Sequence, residues 1–224
     1  MKRGVIIVAG GKGQRMGGKV PKQYLSLDDK PVIVHTLERF IRFDPLIKVV
    51  LVMAEDHQKF WNAITLPYDY ESGIQIATGG LNRYESVKNG LRYMDDGLVV
   101  GIHDAVRPLV SRATLERCYA AAEKEDSGIP VVEFDETVRK LGEHGQSTHL
   151  DRSLLRIVQT PQVFKSELIK QAYDQSYDKR FTDDASVYES MFGMVCLVEG
   201  NRENIKLTTP TDLKLASNLI RTLE

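Results

Sequence analysis

The chain reads as an α/β protein: a mostly parallel sheet with helices on both faces, and one β-hairpin arm projecting from it. Three observations predict this. Short continuous apolar runs alternate with segments of helical periodicity along nearly all 224 residues. The runs lack the in–out alternation of a half-solvated strand, so both of their faces are covered. The rhythm breaks once, over 133–155, where the sequence turns polar and carries a Gly-containing turn.

Residues 4–9 (GVIIVA) form the first apolar run. In 31–43, Ile33, Leu37, Phe40 and Ile41 share one helical face. A second buried strand is predicted over 47–53, a helix over 55–64 and a short strand over 73–77. Tyr84, Val87, Leu91 and Met94 form a helical stripe in 83–94, and 98–103 (LVVGIH) is another strand. Ser111 can cap a helix that buries Leu115, Cys118, Tyr119 and Ala122, followed by a strand over 128–132. The hairpin comprises 137–141, the turn Gly142-Glu143-His144-Gly145, and 147–152. A strand near 154–159, a helix over 165–177, a second helix from Asp183 or Asp184, and a strand over 194–199 come next. Thr209 caps a last helix that begins at Pro210 and buries Leu213, Ala216, Leu219 and Leu223. Strand–helix alternation with right-handed crossovers puts the sheet between two helical layers. The length suits a single domain, 1–224, with 133–155 as its arm. A projecting hairpin either is a solvated excursion or needs a covering surface, and a second copy of the chain is the simplest one.

A net charge of -1 argues against a broad nucleic-acid or membrane footprint, which needs a basic excess. No apolar run approaches the roughly 18 residues of a membrane span. The start Met1-Lys2-Arg3 runs straight into a strand, which argues against a signal peptide. Cys118 and Cys196 match no metal-ligand spacing and read as buried small apolar residues, in keeping with a reducing cytoplasm.

Five segments can carry chemistry. The loop Ala9-Gly10-Gly11-Lys12-Gly13-Gln14-Arg15-Met16-Gly17-Gly18-Lys19-Val20-Pro21-Lys22-Gln23 leaves the first strand, where backbone N–H groups can wrap phosphate oxygens. The Walker pattern fails because Val20 offers no hydroxyl, and the dinucleotide fingerprint fails at Met16. What remains is a phosphate-cradling loop with Lys12, Arg15, Lys19 and Lys22 as cations. A surface turn with solvated charges is the alternative. In the second segment, His103-Asp104-Ala105-Val106-Arg107-Pro108, Asp104 and Arg107 lie just past the carboxyl end of a strand, where ligands bind in open sheets. Asp104 can hold Mg²⁺ there and Arg107 can fork onto a phosphate, or the two can cap and pair locally, while His103 reads as structural. The third segment, Gly79-Gly80-Leu81-Asn82-Arg83-Tyr84-Glu85-Ser86, opens a helix, and its glycines permit close approach by a base or ribose. Gln159-Thr160-Pro161-Gln162 and Asn204-Ile205-Lys206-Leu207-Thr208 complete the set; Lys206 there could also be snorkelling.

In this order, AGGKGQRMG, PKQYL, GG with RYESV, HDAVRP, TPQ and NIKLTTPTDL resemble the 2-C-methyl-D-erythritol 4-phosphate cytidylyltransferase family of the non-mevalonate isoprenoid pathway, across essentially the whole chain. The resemblance implies a Rossmann-like body, an arm that swaps into a homodimer, and a cytoplasmic, Mg²⁺-dependent transfer of cytidylyl from CTP to an alditol phosphate. It assigns Arg15, Lys22 and Lys206 to the α-phosphate in the transition state. The backbone of Ala9, Gly10, Gly11 and Gly13 would hold the triphosphate and base. Gly79, Gly80, Arg83 and Ser86 match the cytidine side, and Asp104 the metal and ribose. Arg107 and Thr160 match substrate contacts, and Thr137 and Arg152 on the arm match residues that enter the neighbouring site. Two positions depart from the pattern: Leu81, and Val106 where alanine is common. Asp-Ala-Val-Arg-Pro is similar to ribitol 5-phosphate cytidylyltransferases, so ribitol 5-phosphate stands as the alternative substrate, and a catalytically silent CTP-binding module as the alternative function. The chemistry needs no general base, because a phosphate nucleophile is already deprotonated near neutral pH.

Overall fold

The computed structural model describes residues 1–10, 20–65 and 73–221. The apolar runs become strands β1 (Lys2–Ala9), β4 (Lys48–Met53) and β6 (Leu98–Asp104), which pair in parallel with β1 between the other two. Two short strands, β2 (Ser26–Leu27) and β3 (Lys30–Pro31), pair with each other and precede α1 (Val32–Phe43). Helix α2 (Gln58–Thr65), strand β5 (Ile74–Thr78) and helix α3 (Arg83–Leu91) follow β4, and β5 adds to it in parallel. After β6 come α4 (Arg112–Glu125) and β7 (Ser127–Glu133).

The arm is a separate two-stranded sheet, β8 (Val138–Leu141) antiparallel to β9 (Ser147–Leu150), closed by the Gly142 N–H on the Gln146 carbonyl. The turn holds His144 and Gly145 at positive φ, 55° and 77°, the second being the residue type that adopts it without strain. The chain returns through β10 (Arg156–Val158), β11 (Gln162–Lys165), α5 (Ser166–Tyr173), α6 (Asp184–Phe192), β12 (Leu197–Glu199) and α7 (Pro210–Ile220).

The main sheet runs β10-β7-β11-β6-β1-β4-β5, with β12 beside β7. Strand β11 departs from the sequence reading: it lies antiparallel between β6 and β7, and β10 is antiparallel too, so the sheet is mixed at this end. Alternate residues of the central strands supply two cores. Val5, Ile7, Val49 and Leu51 pack with Ile33, Leu37 and Phe40 of α1 and Leu115, Cys118 and Tyr119 of α4. Ile6, Val50, Val52, Val100 and Ile102 pack on the opposite face with Tyr84, Val87 and Leu91 of α3 and Ile169 and Tyr173 of α5. A third cluster joins Leu27, Val32, Val106 and Leu109 to Leu207, Ala216 and Ile220, and so seats α7 beside the loop that follows β6.

The caps fall where the sequence puts them: the side chains of Ser111, Asp183 and Thr209 accept the backbone N–H groups of Thr114, Ser186 and Asp212. Cys118 is buried as expected, whereas Cys196 is only half-buried beside β7. Among the described residues, no helix is long and apolar enough to cross a membrane.

Candidate active site

The parallel strands β1, β4, β5 and β6 end together at Ala9, Met53, Thr78 and Asp104. The segments leaving them line one cleft of about 900 Å³, to which Gly10, Lys22, Glu55, Gly79, Gly80, Arg83, Ser86, Asp104, Val106 and Lys206 all contribute. Among open α/β sheets this carboxyl edge is where ligands bind.

Asp104 is the electrostatic centre of the cleft. Its carboxylate lies 2.9 Å from Lys206 Nζ, 3.5 Å from Arg83 Nε and 3.6 Å from Arg107 Nε. Burial alone would push its pKa up. The charges of Arg83, Lys206 and Arg107 overcome that and hold the carboxyl well below the usual carboxylate range, so it stays ionised. His103, just before it, is fully buried, and burial pushes its pKa down to about 4. Its Nε2 faces the Arg107 carbonyl at 3.1 Å and must donate, so Nδ1 accepts from the Thr160 hydroxyl at 3.0 Å. His103 is therefore a neutral structural group, as the sequence suggested.

Lys22 sits in a 3-10 turn, Lys22–Tyr24, behind which Gln23 is buried. Gln23 Nε2 donates to the Ala9 carbonyl at 2.7 Å and approaches His57 Nδ1 at 3.3 Å, tying the turn to the end of β1. Lys22 Nζ donates to the Leu207 carbonyl at 3.0 Å, which sets its ammonium beside the residue next to Lys206. Leu207 is itself held to the loop after β6 by its N–H on the Val106 carbonyl at 2.9 Å. Two of the three cations assigned to the α-phosphate thus line one cleft together with Asp104 and Arg83. Arg15, Gly11 and Gly13 lie outside the described residues.

On the third wall, Asn82 caps α3 by accepting the Glu85 N–H at 2.8 Å. Ser86 Oγ accepts from Gly80 N at 3.0 Å and donates to the Asn82 carbonyl at 2.8 Å, which pins the glycine pair to the helix. A Cβ on Gly80 would lie 2.3 Å from Glu85 Cβ, so only glycine permits this fold-back. Leu81 is exposed at the rim of the cleft.

Four other expected site residues take different places. Arg107 turns inward: its Nη1 donates to the Asn204 carbonyl at 2.7 Å, so it tethers the 204–207 segment instead of lining the cleft. Thr160 is buried and accepts the Asp104 N–H at 3.2 Å, the same kind of internal brace. Thr137 and Arg152 stand exposed on the arm, with Arg152 hydrogen-bonded to the Asp135 carbonyl, and neither lines the cleft of its own chain. The sequence assigns Gln23 and Asp184 no role at the site. The first was visible only inside PKQYL, and the second only as a helix start.

Among the described residues no group of three or more His, Cys, Asp or Glu side chains converges as a metal cage. Asp104, a single ionised carboxylate, fits a divalent ion whose other ligands are phosphate oxygens and water, the usual Mg²⁺ arrangement.

A family model described as 2-C-methyl-D-erythritol 4-phosphate cytidylyltransferase matches residues 4–222. A protein of that name from Phocaeicola vulgatus is 51% identical over 220 residues, 98% of this chain and 100% of the relative. Another from Bacteroides thetaiotaomicron is 49% identical with the same coverage. The solved structure of 4-diphosphocytidyl-2C-methyl-D-erythritol synthase from Anaerococcus prevotii matches with a TM-score of 0.83 at 25% identity, over 98% of this chain and 96% of that one. The 2-C-methyl-D-erythritol 4-phosphate cytidylyltransferase of Francisella tularensis matches at 0.78 and 32% identity, over 96% and 98% of the two chains.

Proposed function

The chain belongs to the 2-C-methyl-D-erythritol 4-phosphate cytidylyltransferase family, and we propose that its cleft carries out that reaction with the residues named above. CTP lies with its triphosphate against the loop after β1 and its cytidine against Gly79–Ser86. An oxygen of the methylerythritol phosphate attacks the α-phosphorus in line. One P–O bond forms there as the bond to the bridging oxygen of the β-phosphate breaks, giving 4-diphosphocytidyl-2-C-methyl-D-erythritol and pyrophosphate. Repulsion between two anions is the barrier, and Arg15, Lys22 and Lys206 lower it by strengthening their contacts as charge moves to the bridging oxygen. Asp104 would hold the Mg²⁺, which when bound neutralises phosphate charge. The observation that carries this reading is the shared cleft: Lys22 and Lys206, 184 positions apart, both line it, Lys206 against Asp104 and Lys22 on the Leu207 carbonyl.

The arm serves a homodimer in this reading, with Thr137 and Arg152 presented to the partner's cleft. In support, the arm and the strands at its base expose the apolar side chains Leu141, Leu154, Ile157, Val158 and Leu197, some of which a second copy would cover. Two free cysteines fit a reducing cytoplasm.

A substrate panel tests the function. Pyrophosphate release from CTP is expected with methylerythritol 4-phosphate and not with ribitol 5-phosphate. Turnover with ribitol 5-phosphate alone would reassign the substrate, and CTP binding without turnover on either would leave a silent binding module.

A further inference from the structure

Arg83 lies between two carboxylates and is bonded to only one of them. Its fork closes on Asp184, Nη1 to Oδ1 at 2.8 Å and Nη2 to Oδ2 at 2.7 Å, while Nε stands 3.5 Å from Asp104 Oδ1. The Asp184 side chain is fully buried at the first position of α6, and its Oδ1 also accepts the Tyr173 hydroxyl at 2.6 Å. That end of α6 is held firmly: Gln162 donates to Asp183 Oδ2 at 2.8 Å and accepts from Ala185 N at 2.7 Å. Tyr173 in turn stacks on Tyr84, the neighbour of Arg83, at 4.7 Å.

An ion pair that buries one partner fully, as Asp184 is here, rarely adds stability over an apolar pair of equal volume, because the carboxylate is desolvated. What it does supply is direction. A bidentate carboxylate fixes a guanidinium in plane and in position. If Asp184 lost its charge, the remaining carboxylate paired with Arg83 among the described residues would be Asp104. The fork would turn onto it and draw it away from Lys206 and the cleft.

We propose that Asp184 is a positioning residue for the nucleotide half of the site: with Tyr173 it holds the Arg83 fork off Asp104, so that Asp104 stays turned toward bound CTP. This rests on the CTP reading above. Among the described residues the Asp184 carboxylate bonds Tyr173 and Arg83, the latter on the nucleotide side of the cleft in that reading, so the two substrates should respond differently.

The test is CTP binding by calorimetry together with steady-state kinetics on the full chain, for wild type, Asp184→Asn, Arg83→Lys and the double variant. Asp184→Asn is expected to weaken CTP binding and raise KM for CTP about tenfold, the scale of one lost charged hydrogen bond. KM for the alditol phosphate should stay put. Arg83→Lys should show the same pattern, and the double variant should be no worse than either single one, since both remove one device. Tyr173→Phe keeps the ring packing and removes one hydrogen bond to Asp184; about a threefold loss of CTP affinity is expected, and this variant decides the matter if Asp184→Asn does not fold. Unchanged CTP affinity in a folded Asp184→Asn, or in both Tyr173→Phe and Arg83→Lys, overturns the proposal, as does equal weakening for both substrates. Wild-type protein that neither binds CTP nor releases pyrophosphate would instead sink the functional reading.

Discussion

Replacing Lys206 with methionine separates stability from catalysis. Lys206 Nζ is 2.9 Å from Asp104 Oδ2, with its side chain 43% exposed and that of Asp104 10% exposed. A bare Coulomb term at an effective dielectric constant of about 20 is about 6 kcal/mol at that distance. Solvent around the half-exposed lysine, and the rotamer freedom it gives up, reduce the net contribution to about 1 kcal/mol or less. Asp104 also keeps Arg83 and Arg107 at 3.5 and 3.6 Å, so no buried charge is left alone. Methionine preserves the apolar stem, and Tm should fall by no more than about 2–4 °C. Catalysis should lose far more. A cation whose contact tightens in the transition state accounts for on the order of 10²–10³ in kcat, or about 3–4 kcal/mol. Pyrophosphate release at saturating substrates, read beside a thermal melt, measures both quantities. Lys206→Arg restores the charge and should recover part of the rate. A folded Lys206→Met with kcat within a factor of about ten of wild type is inconsistent with a loss of that size and would refute the assignment of Lys206 to the α-phosphate.

Three further outcomes follow from the structure. The imidazole of His103 should titrate near pH 4 by NMR; because the unfolded chain takes up that proton near pH 6.5 and the folded one does not, stability should fall as pH drops through this window, by about 2 kcal/mol at pH 5 in denaturant melts. Gly128→Ala puts a Cβ 2.2 Å from the Cys118 carbonyl oxygen, which is backbone and cannot swing aside, so α4 must lift from β7; a loss of several kcal/mol, on the order of that for core overpacking or more, should appear in the same melts. Excising residues 143–147 removes only the tip of the β8–β9 sheet, so Tm should barely move, while sedimentation should show weaker self-association and KM for the alditol phosphate should rise.

The body of the fold was legible because buried parallel strands write themselves as unbroken apolar runs, and β1, β4 and β6 fall within one or two residues of where those runs lie. Strand β11 was not, and the reason is chemical. It opens on Gln162, a polar letter at a position only 1% exposed. Its amide is satisfied by Asp183 and Ala185, a partnership formed across 21 to 23 positions that no local pattern reveals. The same blindness affected the ends of α3 and α5, which stop at Leu91 and Tyr173 although apolar spacing continues beyond them.

The site shows the limit more sharply. A motif states which side chains stand at a strand end but not which way they turn. Arg107 lies only three residues beyond Asp104, the last residue of β6, yet Arg107 points inward to the Asn204 carbonyl while Asp104 faces the cleft. That inward turn has a function of its own, because the segment it grips carries Lys206. The position of Lys206 is set by contacts with distant parts of the chain, among them the Arg107 guanidinium on the Asn204 carbonyl, the Leu207 N–H on the Val106 carbonyl, and the Lys22 ammonium on the Leu207 carbonyl. Behind them, Val106 and Leu207 share a core with Ala216 and Ile220 of α7. The cleft's cations are thus held by the packing of the last helix as much as by the loops that bear them. A cavity made at Ala216 or Ile220 would act on the chemistry without touching a substrate.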